Sequence, residues 1–213
     1  MPIELKLNND SEIELSIWKV TETESYFEHK LEIHNPEEEI IDKLSNRKRL
    51  EWLSSRYLLH IMSGRELRGE FVKDEHGKPH LIDSEYHISI SHSNNHISVI
   101  ASKHLVGIDI QTYVSKISRI KHKFVSESEE KYIDESNPNP GLHIIWGAKE
   151  SLYKAYGKRG LDFKKHIHIS ALNSSTPKGT FKGKVIKDDY EKNFDLFYHL
   201  FDEYILVYAK ESS

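Results

Sequence analysis

Two segments, 106–111 and 146–157, obey different periodicities, and together they restrict this chain to a fold that mixes strands and helices. Val106-Gly107-Ile108-Asp109-Ile110-Gln111 alternates apolar with small or polar residues. Side chains of a strand point to opposite faces in turn, so Val106, Ile108 and Ile110 share one face and Gly107, Asp109 and Gln111 the other. In the second segment Ile144, Ile145, Ala148, Leu152, Ala155 and Tyr156 form an apolar stripe at helical spacing, while Glu150, Lys154 and Lys158 follow one another four residues apart. The strand holds a carboxylate on a rigid, half-buried element, and the helix projects an acid and a base from one polar face.

Two carboxylates on two rigid elements, with lysine beside one of them, suit Mg²⁺ shared with a phosphate ligand. Mg²⁺ takes oxygen ligands from one or two carboxylates, phosphate and water, and lysine offers phosphate a compact positive charge. The same residues have a plainer reading. Glu150 and Lys154 at i, i+4 make a common helix-stabilising ion pair, and an aspartate at a strand end is often a turn residue.

Composition narrows the classes. With 213 residues, 37% hydrophobic and 30% charged, the chain is long enough for a sizeable core and has no apolar run able to span a bilayer. The N-terminus, Met1-Pro2-Ile3-Glu4-Leu5-Lys6, lacks the regions of a signal peptide, so a cytoplasmic protein is expected. Zero cysteines exclude disulfides and thiolate metal sites, and a net charge of −4 argues against general nucleic-acid affinity.

The chain reads as two halves of similar plan. The first has a strand near Ile13 to Val20, a long helix from about Pro36 to Met62 with Arg49 and Arg56 on nearly one azimuth, and a turn at Asp74-Glu75-His76-Gly77-Lys78-Pro79. Strands from about Tyr86 to Ser91 and His96 to Ser102 then flank Asn94-Asn95. The second half has the Asp109 strand, short helices between Ser115 and Asp134, a break at 137–141 and the Trp146 helix. Strands near 167–170, 180–186, 194–201 and 204–208 complete it. Trp52 and Trp146 read as core packing, and His166 and His168 as a solvated strand face. His87, His92 and His96 sit at mixed parity across a hairpin, poorly placed for zinc in a chain with 14 histidines.

The ordered set Arg49…Glu51…Arg56, Lys78-Pro79, Ser89-Ile90-Ser91-His92-Ser93, Gly107-Ile108-Asp109 and Trp146-Gly147-Ala148-Lys149-Glu150…Lys154 resembles the 4′-phosphopantetheinyl transferase superfamily, of the monomeric surfactin-synthetase-activating type. The resemblance implies transfer of the phosphopantetheine arm of coenzyme A to a serine of an apo acyl or peptidyl carrier protein, releasing adenosine 3′,5′-bisphosphate. It implies that Asp109 and Glu150 hold Mg²⁺, that Lys154 neutralises phosphate and that Lys149 lies at the same edge. Arg49 and Arg56 would meet the nucleotide phosphates, Lys78 and Pro79 the adenine, and Ser91 and His92 a phosphate. Glu150 is also the candidate base for the serine proton, a role in tension with inner-sphere metal binding.

Where many members of the family carry a further acid, this chain has Gln111, a weaker ligand that binds the metal or orients a water, which leaves the choice between Mg²⁺ and Mn²⁺ open. The implied fold is α+β: two similar subdomains related by a pseudo-twofold, each a three-stranded antiparallel sheet on a long helix. Residues 1–104 would contact the nucleotide, 105–213 would carry metal and catalytic residues, and coenzyme A would lie in the cleft between. A functional monomer follows, with an acidic carrier docking near the cleft. Lys116 to Lys123 is one candidate surface, or simply a solvated charge run. A coenzyme-A-binding or carrier-binding module and a Mg²⁺-dependent nucleotide or coenzyme A hydrolase are the rival functions.

Overall fold

The computed structural model describes residues 3–9 and 12–212; Met1 and Pro2 of the N-terminal reading lie outside them. Chain order is β1 (Ile3–Asn9), β2 (Ile13–Lys19), α1 (Glu24–Lys30), α2 (Asn35–Asp42), α3 (Asn46–Ser63), β3 (Phe71–Lys73), β4 (Pro79–Leu81), β5 (His87–Ser93) and β6 (His96–Ser102). Then come β7 (Val106–Thr112), α4 (Ile117–Ile120), α5 (Pro138–Tyr156), β8 (Ile167–Ser170), β9 (Lys178–Lys187), β10 (Tyr190–Leu200) and β11 (Tyr204–Glu211). None of the described helices is long and apolar enough to cross a membrane.

The fold is α+β, with two antiparallel sheets of strand order β1-β2-β6-β5-β4-β3 and β7-β11-β10-β9-β8. Three cores stack the layers in the order α3, first sheet, second sheet, α5. Trp52, Leu53, Leu58 and Met62 of α3 pack on Trp18, Ile88, Ile97 and Val99. Leu15, Ile17 and Ile100 meet Ile108, Ile110, Leu206 and Tyr208 between the sheets. Ile144, Ile145, Ala148 and Leu152 of α5 cover Leu196, Ile205 and Val207. Alternation decides this: each central strand sends its odd and even residues into different cores.

Three expectations need correction. The sheets have six and five strands, not three each, because β1 pairs along β2 and the short β3 and β4 extend the first sheet. The helix expected from Pro36 is two helices, broken where Ser45 turns extended (φ −69°, ψ 154°) before α3. The break expected at 137–141 is partly helix, since α5 starts at Pro138. First-turn amides have no intrahelical acceptor, so proline costs little there.

β7 lies at the edge of its sheet, yet three amides on its open side are satisfied from the other half. The hydroxyls of Ser89, Ser91 and Ser93 on β5 accept from the amides of Ile108, Ile110 and Thr112 at 3.2, 3.2 and 3.0 Å. A serine at every second residue supplies the acceptors that a neighbouring strand would otherwise provide.

Candidate active site

Gly107 brings α5 onto β7. A Cβ there would stand 1.9 Å from the Ser151 carbonyl oxygen and 2.8 Å from the Ala155 nitrogen, both backbone atoms, so only glycine lets the helix lie this close. Two residues along the same face Asp109 meets Lys154, and two further Gln111 donates its amide to the His143 carbonyl at 3.0 Å. His143 fixes this end of α5: its Nε2 accepts from the Val114 amide at 3.1 Å, leaving its Nδ1 proton for the Asn139 carbonyl at 2.9 Å. Burial lowers its pKa and so favours that neutral form.

Lys154, Asp109 and Ser91 form a closed polar cluster across the seam of the two halves. Lys154 Nζ donates to Asp109 Oδ1 at 2.8 Å, Ser91 Oγ at 2.8 Å and the Ile108 carbonyl at 2.9 Å, which uses all three ammonium hydrogens. Ser91 Oγ in turn donates to Asp109 Oδ1 at 3.0 Å. Glu150, one turn before Lys154 on α5, carries a raised pKa; burial is the main cause, the negative charge of Asp109 adds to it, and Lys154 opposes it.

Two neighbouring carboxylates, one of them destabilised as an anion, fit a hard divalent cation. Because the Gln111 amide nitrogen is held by His143, its oxygen is the group left for a cation or a bound water. Among the described residues there is no cluster of three or more His, Cys, Asp or Glu side chains arranged for a metal. Asp109 and Glu150, with Gln111 beside them, are the candidate donors.

Beside Lys154 opens a pocket of about 230 Å³, walled by Lys78 and Pro79, by Ser89 and Ile90 of β5, and by Tyr153, Gly157 and Lys158. Lys78 reaches across the halves and donates to the Ala155 carbonyl at 2.7 Å, near the C-terminus of α5 where carbonyls are unpaired. Gly157 ends the helix in the left-handed region (φ 75°), and a Cβ on it would strike Lys78 Cδ at 2.3 Å. Asp74 shapes the loop: its Oδ1 accepts from the amides of His76 and Lys78, both at 2.9 Å, and Oδ2 pairs with His80 at 2.9 Å.

Four residues expected at the ligand stand elsewhere. Lys149 has no side-chain exposure and pairs with Glu129 at 2.7 Å, its remaining contact being the Phe163 carbonyl at 2.8 Å. On a helix, residues 149 and 150 diverge by about 100°, so only one of them faces Asp109. Arg56 is buried, its guanidinium 3.3 Å from the Trp52 ring centroid and 3.9 Å from that of Phe71. Arg49 faces Glu28, Glu24 and Asp42 at 2.6, 3.4 and 3.9 Å. His92 is half-exposed on the α3 side of β5, 3.4 Å from Glu51, so it and Ser91 leave opposite faces of the strand.

Glu129, His143, Asp74 and the flanking serines 89 and 93 were not foreseen as supports. The serine alternation was a signal open to a strand reading, and Ser126-x-x-Glu129 has the spacing of a helix-start capping box; what Glu129 and His143 hold across the fold, Lys149, Ile169 and Val114, lies 20 to 40 residues away in the chain.

Comparison with known proteins bears on the half that carries Asp109, Glu150 and Lys154. Residues 105–209 match the family model of the 4′-phosphopantetheinyl transferase superfamily. The 4′-phosphopantetheinyl transferase gsp of Aneurinibacillus migulanus is 32% identical over 111 residues, 51% of this chain and 46% of that protein, so the match spans about half the length of this relative. By that match, and with its strand and helix carrying the carboxylates and lysine at one seam, the half of this chain that spans residues 105–209 belongs to the 4′-phosphopantetheinyl transferase superfamily.

Proposed function

We propose that this protein transfers the 4′-phosphopantetheine arm of coenzyme A to a serine of an apo carrier protein and releases adenosine 3′,5′-bisphosphate. The observation that carries the reading is the meeting of Asp109, Glu150 and Lys154 beside a lysine-lined pocket between the halves. Lys78, Pro79 and Tyr153 offer a nucleotide an apolar and cationic wall, and Lys154 offers phosphate a positive charge. To bind phosphate directly, Lys154 releases one of its three protein acceptors. A Mg²⁺ or Mn²⁺ ion held by Asp109 and Glu150, with Gln111 directly or through water, supplies charge neutralisation at the pyrophosphate.

In the transfer, the serine oxygen bonds to the pantetheine-side phosphorus and the bond from that phosphorus to the bridging oxygen breaks. The leaving bisphosphate keeps that electron pair. Glu150 accepts the serine proton, directly where its carboxylate is free and through a water it holds where it also serves the metal. The carrier is expected to be acidic and to approach basic or apolar surface near the cleft.

Gln111, standing where a third acid would sit, favours one second reading: a module that binds coenzyme A without turnover. Calorimetric titration of coenzyme A, with and without Mg²⁺, tests the assignment. Wild type is expected to bind more tightly with Mg²⁺, Asp109→Ala to lose that dependence and Lys154→Ala to bind weakly in both conditions. Equal binding by all three proteins would remove these residues from the site. Carrier-dependent turnover separates the transferase from both the binding module and a hydrolase.

A further inference from the structure

A second pocket, of about 250 Å³, lies under the C-terminal turns of α3. Leu59, Met62, Phe71 and Leu81 give it apolar walls, and these residues belong to the α3 face of the first sheet. Ser89, Ser91 and Ser93 leave the other face of that sheet toward β7, so the sheet separates this pocket from the candidate active site.

The pocket has an unequal share of buried charge. Glu37 receives Arg68 as a fork, Nη1 at 3.2 Å and Nη2 in close contact, and Arg68 Nε donates to the Glu32 carbonyl at 2.8 Å. Arg56 gets less: the Trp52 carbonyl at 3.3 Å, and Glu37 at 3.6 Å from Nε, too long for a hydrogen bond. Arg56 Nε and His60 Nδ1 are both buried with no hydrogen-bond partner, and both residues line the pocket. Of the charges that are buried here, Arg56 and Arg68 stand against Glu37 alone, which leaves one positive charge unmatched. Burial, with Arg68 close by, pushes Arg56 down to about 9 although Glu37 opposes the shift. The rings of Trp52 and Phe71 stabilise the guanidinium through its faces, but its hydrogen-bonding edge lacks a full partner, which is costly for a desolvated cation and is relieved by an anion in reach of it.

We infer that this pocket binds a small organic monocarboxylate, its carboxylate on the Arg56 guanidinium and its apolar body against Leu59, Met62, Phe71 and Leu81. One unmatched charge selects a monoanion over a phosphate dianion. An apolar cavity of about 150 Å³ takes benzene, so this pocket has room for a phenyl ring with a short acid chain. Guanidinium and carboxylate match as two-pronged partners.

Met62 is the only methionine apart from Met1, which makes its methyl group a unique reporter on the pocket wall. The test titrates full-length protein, labelled with ¹³C-methyl methionine, with 3-phenylpropionate and with its neutral analogue 3-phenylpropanol. The Met62 resonance is expected to shift saturably with the acid, and the alcohol to bind at least about tenfold more weakly, as a charge-assisted hydrogen bond implies. Saturating coenzyme A should leave the titration unchanged, and Arg56→Gln should weaken the acid to the level of the alcohol. The comparison of acid with alcohol on wild type stands even where that variant does not fold. An unmoved Met62 signal, equal binding of acid and alcohol, or competition by coenzyme A would overturn the inference.

Discussion

Replacing Lys149 with methionine separates a structural lysine from a ligand-binding one. The pair it makes with Glu129 is almost fully enclosed, with side-chain exposures of 0% and 1%, so solvent screens it little. Burial holds the Lys149 pKa below its ordinary value and the Glu129 carboxylate opposes that shift. Glu129 also accepts from the Ser126 amide at 2.8 Å and the Ile169 amide at 3.2 Å, which ties α5 to the loop before it and to β8. Lys149→Met leaves that carboxylate buried without its cation, and breaking such a pair costs about 3–5 kcal/mol. The double variant Lys149→Met with Glu129→Gln removes the stranded charge and should regain most of this loss, short of about 1–3 kcal/mol for one amide left without an acceptor. Urea unfolding at constant m-value measures both. Coenzyme A affinity of the folded fraction should match wild type. A stability loss under about 1 kcal/mol together with weakened coenzyme A binding would refute the reasoning, since a surface lysine contributes little to stability and a ligand contact much to affinity.

Other perturbations separate support from chemistry. Ser89→Ala strips the acceptor from the buried Ile108 amide and should cost about 1–3 kcal/mol in urea unfolding. Gly107→Ala drives a Cβ into backbone and should cost about 3 kcal/mol by the same assay, with a loss of coenzyme A binding as α5 moves away from Asp109. Glu150→Gln removes a half-buried charge beside Asp109, so the variant should melt above wild type without metal, and added Mg²⁺ should raise the wild-type melting temperature but not that of the variant. Asp74 is held down to about 2, from an ordinary 3.8, by His80 first and by the amides of Lys78 and His76. A depressed acid stabilises the native state above its ordinary value and loses that contribution as pH falls through the depressed one. Asp74→Asn should therefore be less stable than wild type from pH 7 to about 4, and urea midpoints should converge as pH drops toward 2.

Periodicity exposed the elements that carry the candidate site. β7 and α5 obey their repeats over whole lengths, and Gly107, Asp109, Glu150 and Lys154 fall where two clean patterns meet. The larger sheets were harder to read. β3 and β4 have three residues each, too few for a period to show. Lys149 and Arg56 misled for a different reason: charge marks a residue as able to meet phosphate, but burial depends on which face its helix turns inward. The partners that decide it, Glu129 and Glu37, are 20 and 19 residues away in the chain. Ser89 and Ser93 stood in a legible alternation, yet their task of completing the edge of β7 exists only once two sheets face each other.

Intact-mass spectrometry of an apo acyl carrier protein incubated with this protein, coenzyme A and Mg²⁺ reads the transfer directly. The reaction is run beside one in EDTA and one with Asp109→Ala. A gain of one phosphopantetheine arm is expected in the complete reaction alone. No gain across acyl and peptidyl carriers, with coenzyme A still binding at the Lys154 pocket, would contradict transfer and leave a binding module, with Gln111 the first residue to change.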